Sequence, residues 1–197
     1  MLQLTKHHIP GYRARTLVNA AAADLTVAFA ADFGTAGECL TRKAAGRNYL
    51  AISLSTPTEA AGQALADCMR THEAFALNVA GNGISTLVTH GWTQESVNIW
   101  VYQVLHFANQ AISIKALRSG GQTGADIAGL VAACELSIPA LGYFPKGFIQ
   151  RGADHIDRHH SPDQIRHQVA ALLSTLRKDL NSCTRPSPPR GQTTFDF

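Results

Sequence analysis

The chain has 197 residues, 45% of them apolar, and a formal net charge of +3 at neutral pH. That length and apolar content suit one ordinary core in a single domain. Lys and Arg are scattered, so composition argues against a nucleic-acid footprint, and no stretch approaches the ~18 apolar residues of a membrane helix.

The N-terminus lacks a hydrophobic signal core, and a cytoplasmic location is expected. Cys39, Cys68, Cys134 and Cys183 form no CxxC pair. The first three sit in helix-like apolar contexts and read as reduced, small core residues.

In chain order, Gly11 to Ala20 reads as a helix carrying Arg15, and Leu25 to Ala30 as the first buried strand. Further apolar runs of strand length follow at Tyr49–Leu54, Ala74–Val79, Ile112–Leu117 and Ile138–Gly142. Continuous apolarity implies strands buried on both faces, as in a parallel sheet.

Helix signals separate the strands. Thr56-Pro57-Thr58-Glu59 predicts a capping box with Pro at the first helical position. Val97, Trp100, Val101, Val104, Leu105 and Ala108 form a one-face stripe that reads as core packing. Ser161-Pro162-Asp163-Gln164 predicts a second capping box, ahead of the stripe Ile165, Val169, Leu172, Leu173, Leu176 and Leu180. Strands alternating with helices predict an α/β fold, a three-layer, Rossmann-like, doubly wound and mainly parallel sheet. One domain over residues 1–180 is expected, then a disordered Pro-rich tail over 181–197. Its end, Phe195-Asp196-Phe197, is either an unconstrained terminus or a short docking peptide.

Glycine-bearing segments fall after the strands, on the edge where doubly wound sheets bind ligands. They are Gly34–Gly37, Gly81-Asn82-Gly83, Ser119–Gly124 and Pro145-Lys146-Gly147. A strand-to-helix turn offers free amides and the positive end of a helix dipole to an anion. In Ser119-Gly120-Gly121-Gln122-Thr123-Gly124-Ala125-Asp126, the first two glycines are expected to take positive φ and let a ligand approach. Thr123 is expected to cap the next helix, with Asp126 in its first turn. The pattern is neither GxGxxG nor a Walker A sequence. Glu38 either complements a helix dipole or hydrogen-bonds a ribose and stabilises positive charge beside it. Arg15 is either a solvated helix charge or a bidentate anion ligand.

These residues resemble the SLOG superfamily, which includes lonely-guy-type phosphoribohydrolases, DNA-processing proteins of the Smf type and molybdenum-carrier proteins. Ser119 to Asp126, with Pro145-Lys146-Gly147-Phe148, looks like the molybdenum-carrier or circularly permuted YpsA-like branch. Arg15, Asp24, Gly34, Thr35 and Glu38 match the spacing of the lonely-guy pattern, whose Arg and Glu are its catalytic pair. Ala30-Ala31-Asp32 stands where that pattern has its PGG glycines. The strand leading to Gly34-Thr35 precedes the one leading to Ser119-Gly120, which implies a circular permutation relative to the family order.

The resemblance implies a nucleotide-like or pterin-type ligand, no required cofactor and a homodimer, with the Trp100 helix a candidate interface. Phosphate contacts are expected from Gly34, Thr35 and Ser119 to Thr123, with Gly81, Gly83, Gly124 and Lys146 nearby. Asn82, Glu38 and Asp126 are expected at the ribose or base. Three readings follow: a carrier or sensor, an N-glycosidic hydrolase using Arg15 and Glu38, and a DNA-processing accessory. Asp154-His155-Ile156-Asp157-Arg158-His159-His160 reads as a metal site, a ligand-edge loop or a solvated loop; no metal is expected, because no HExxH or cysteine context accompanies it.

Overall fold

The structure, a computed structural model, describes residues 1–183. Phe195-Asp196-Phe197 and most of the Pro-rich tail therefore lie outside the described residues. Residues 181–183 continue the last helix.

Six strands form one sheet: β1 (Leu2–Lys6), β2 (Leu25–Ala30), β3 (Tyr49–Ser53), β4 (Ala76–Gly81), β5 (Ala116–Ser119) and β6 (Ala140–Phe144). Their order is β1-β6-β5-β4-β2-β3, and each neighbouring pair runs parallel. A two-stranded antiparallel ribbon, β7 (Gln150–Arg151) with β8 (Asp157–Arg158), projects beyond β6. The helices are α1 (Tyr12–Ala21), α2 (Ala36–Ala45), α3 (Thr58–Thr71), α4 (Ile84–Leu87), α5 (Gln94–Ala111), α6 (Ala125–Glu135) and α7 (Pro162–Cys183). The Rossmann-like three-layer α/β reading of the sequence describes this architecture.

The two faces of the sheet differ in chemistry. Leu25, Val27 and Phe29 alternate to one side of β2 with Leu77 and Val79 of β4, and all are fully buried. They form the main core with α3, α5, α6 and α7. The other side carries Thr26 and Ala28 on β2, Asn78 and Ala80 on β4, and Arg118 on β5. There α1 and α2 pack on each other and cover the polar side.

Several elements differ from their sequence reading. β1 was not foreseen, because its alternating Leu2 and Leu4 give the half-exposed pattern of an edge strand. β4, β5 and β6 begin two to four residues after the start of their apolar runs. Ala74, Ile114 and Ile138 are buried in the connections leading into the strands, so apolarity there marks core and not ladder. Thr56 caps nothing: α3 begins at Thr58 behind an extended Pro57, and the Thr56 carbonyl accepts the Trp100 indole N–H at 3.2 Å.

The second predicted capping box forms. The Ser161 amide donates to Gln164 Oε1 at 2.7 Å, and the Gln164 amide donates to Ser161 Oγ at 3.2 Å. The α5 stripe is buried as read, with Trp100 edge-on to Phe29 at 5.3 Å between centroids. Cys39 is exposed and Cys68 and Cys134 are half-buried, so none is a true core residue.

Candidate functional site

From β2 the chain steps outward to β3, then returns past β2 to β4, β5 and β6. The topological switch point therefore lies between β2 and β4, where open α/β sheets form a ligand crevice. A pocket of about 420 Å³ occupies that position. Its volume lies within the ordinary range for small-molecule sites.

One wall is α1, through Tyr12, Arg15, Thr16 and Asn19; the other is the start of α2, from Thr35 to Thr41. The floor is β4 and the turn after it, from Asn78 to Gly83, and Gln122, Asp126 and Arg151 close the rim. Segments from opposite halves of the chain thus meet in one cavity.

Thr35 is the N-cap of α2, its hydroxyl accepting the Glu38 amide at 3.3 Å. As the first two helical residues, Ala36 and Gly37 have amides with no intrahelical partner, and both line the pocket. Across the cavity Arg15 Nη1 lies 2.8 Å from Asp126 Oδ2, an ion pair buried on both sides. Arg15 Nε is buried without a partner among the described residues.

Glu38 is 2% exposed. Burial, and then the nearby charge of Asp126, push its carboxyl up to about 7, against the Tyr49 hydrogen bond at 3.2 Å and the charge of Arg42. Burial likewise raises Asp126, opposed mainly by Arg15. Burial and Glu38 push the Tyr49 hydroxyl to about 12, so it stays a donor.

The turn after β5 is held by Asp126 at the start of α6 and by Gln94 of α5. The Gln122 amide donates to Asp126 Oδ2 at 3.4 Å, and the Gly124 amide to Gln94 Oε1 at 2.7 Å. A Cβ on Gly120 would overlap Arg15 Nη1, and one on Gly121 would overlap the Phe144 ring. Gly120 therefore makes room for the ion pair. Only Gly121 of the two has positive φ, at 67°. Thr123 does not cap α6, whose N-cap is Gly124; its hydroxyl donates instead to the Arg151 carbonyl. That contact, with the Arg151 amide on Gln122 Oε1 at 2.7 Å, ties the β7–β8 ribbon to the pocket rim.

Of the residues singled out from sequence, Arg15, Thr35, Glu38, Gly81, Asn82, Gly83, Gln122 and Asp126 line the cavity. Gly34, Ser119, Gly120, Gly121, Thr123, Gly124 and Lys146 do not, although several support it. Ser119 Oγ, for example, donates to the Asp126 carbonyl at 2.8 Å. Asn82 is a staple between loops: its Oδ1 accepts the Ala31 and Asp32 amides, both at 2.9 Å, and its Nδ2 donates to the Asp32 carbonyl. Asp24 lies at the far edge of the sheet, accepting the Phe75 and Ala76 amides.

The histidine-rich segment forms β8 and its flanks. Its acids pair with arginines, Asp154 with Arg158 and Asp157 with Arg151. Among the described residues no group of three or more His, Cys, Asp or Glu could hold a metal ion.

Sequence reading missed Tyr12, Asn19, Asn78 and Arg151. Asn78 had a signal, a lone amide inside an apolar strand. Arg151 had none, because only the ribbon brings it back over Tyr12, 5.8 Å from the ring centroid.

Fold and pocket together define a Rossmann-like α/β protein with a pocket of small-molecule size at its switch point. Residues 117–161 match the model of the circularly permutated YpsA SLOG family, so the chain carries that family's signature from β5 through the ribbon. No curated protein and no solved structure matches the chain. Among the described residues, no helix is long and apolar enough to cross a membrane.

Proposed function

We propose that the protein binds a nucleotide, or a nucleotide-derived phosphorylated ligand such as a pterin-type compound, in the α1–α2 pocket, as a carrier or sensor. SLOG similarity supports a nucleotide-related ligand. The observation that carries the reading is the convergence of the open Ala36 and Gly37 amides with a buried Arg15 that still has donor capacity. Helix-start amides and a guanidinium are the donors a phosphate requires.

Titration calorimetry with nucleoside mono- and diphosphates tests this. Saturable binding that Arg15→Ala abolishes is expected; heat-silent titrations with no thermal shift from any nucleotide refute it.

A second reading is favoured by Glu38, whose carboxyl titrates near neutrality in the same pocket as Arg15. Such a group suits proton transfer. In a nucleoside 5′-monophosphate hydrolase, ionised Glu38 would stabilise positive charge at the anomeric carbon and accept a proton from the attacking water. The water oxygen bonds to that carbon, the C–N bond breaks with its electron pair on the base, and a proton ends on the departing nitrogen. Chromatographic release of free base and ribose 5-phosphate, lost in Glu38→Ala, is the expected result. Binding without base release leaves the carrier or sensor reading.

A further inference from the structure

Most polar groups deep in the pocket are already committed. Asn19 donates to the Tyr143 carbonyl and accepts from Arg118 Nε at 3.0 Å. The Thr16 and Thr41 hydroxyls donate back into their own helices. Asn78 differs. It is 3% exposed and lines the cavity; its Nδ2 donates to Thr26 Oγ1 at 3.2 Å, while its Oδ1 has no partner among the described residues. Arg118, beside it in register on β5, donates to Asn19 and the Ala22 carbonyl and makes no bond to Asn78.

A buried carbonyl oxygen left unpaired is destabilising unless something fills the site. Asn78 lies three residues before Gly81 on β4, so it sits about 10 Å further into the sheet than the glycine turn. The anion donors, Arg15 and the first α2 amides, are at the rim, because both helices start there. The cavity thus presents a guanidinium and helix-start amides as donors at its mouth and the Asn78 amide oxygen as an acceptor at its base.

We infer that Asn78 is a specificity-determining residue: its Oδ1 accepts a hydrogen bond from an N–H on the base edge of the bound nucleotide. The ligand then lies base-inward between α1 and α2, with its phosphate at Arg15. This rests on the nucleotide reading of the pocket.

Four probes test it by calorimetry: adenosine and guanosine 5′-monophosphate, purine riboside 5′-monophosphate, whose base bears no N–H, and ribose 5-phosphate. The wild-type chain should bind the better of the two natural nucleotides about ten-fold or more tighter than the purine riboside analogue. In Asn78→Leu, nearly the same size but without the acceptor, that preference should vanish while ribose 5-phosphate binds unchanged. The unliganded variant should melt lower than wild type, because it also loses the Asn78–Thr26 hydrogen bond; the readout that a merely structural Asn78 would not move is the affinity ratio between the natural nucleotide and the purine riboside analogue. If Asn78→Leu does not fold, Asn78→Ala is read the same way.

A preference that survives the substitution, or an equal loss for ribose 5-phosphate, overturns the inference and leaves the pocket reading standing. Failure of all four probes to bind the wild-type chain removes both.

Discussion

Arg15 on α1 and Asp126 on α6 are 111 positions apart in the chain, yet their side chains meet at 2.8 Å through the space left by Gly120. The pair fastens the N-terminal helix to the turn after β5 and fixes the guanidinium at the pocket rim. Breaking a buried ion pair by displacing one partner costs about 3–5 kcal/mol, since the other charge stays desolvated. Gly120→Ala should therefore lower unfolding free energy by about that amount in urea titrations, and should weaken nucleotide binding in parallel. An unchanged denaturation midpoint would show that Arg15 can leave Asp126 freely.

Glu38 gives the protein a pH dependence of definite sign. Its folded-state carboxyl titrates near 7, against an ordinary value of 4.5. Between these values the folded chain holds a proton that the unfolded chain has lost. Stability contributed by neutral Glu38 is complete below about pH 4.5 and declines until about pH 7. The shift corresponds to about 3 kcal/mol at most. Glu38→Gln, which stays neutral, should be more stable than wild type at pH 8 by roughly 1–3 kcal/mol, with the advantage fading by pH 5. Paired chemical denaturation curves at the two pH values measure this.

Asp126 reaches Glu38 through its charge. Because that charge raises the Glu38 carboxyl, Asp126→Asn should move the Glu38 titration to lower pH. It also leaves Arg15 without its buried counter-charge, so the variant should lose about 3 kcal/mol or more of stability. Carboxyl-carbon NMR of Glu38 reports the first effect and urea titration the second. A Glu38 titration that stays put would mean the two acids are electrically independent.

The fold was legible where burial is two-sided: β2 has a continuous apolar run, and its bounds follow from it. Where apolar residues also line the connections, as at Ile114 and Ile138, the run marks the core but not the strand. The edge that carries the site was legible from the glycines, but their roles were not. Gly120 and Gly121 read as ligand-approach positions; they make room for Arg15 and Phe144, partners supplied by distant segments. Arg15 and Glu38 could be picked out from spacing that resembles a known pattern. Asn78 showed locally only as a lone amide in an apolar strand, and its place in the pocket depends on which strand faces which helix; Arg151 depends on a ribbon folding back, which local sequence does not carry.

Two superficially equivalent sequence motifs differ in the structure, and this can be measured. Ser161 and Gln164 exchange both hydrogen bonds of a capping box at the start of α7. Thr56 and Glu59 carry the same pattern, with a proline after the first residue in both cases, yet the Thr56 side chain caps nothing. Removing a working cap costs about 1 kcal/mol. Ser161→Ala should therefore lower stability by about 1 kcal/mol, while Thr56→Ala should change it by less than about 0.5 kcal/mol, as for an ordinary surface substitution. The contrast is cleanest in guanidinium titrations of both variants beside wild type. Equal losses would mean that Thr56 caps α3 in solution, and that its backbone contact with Trp100 does not fix the turn.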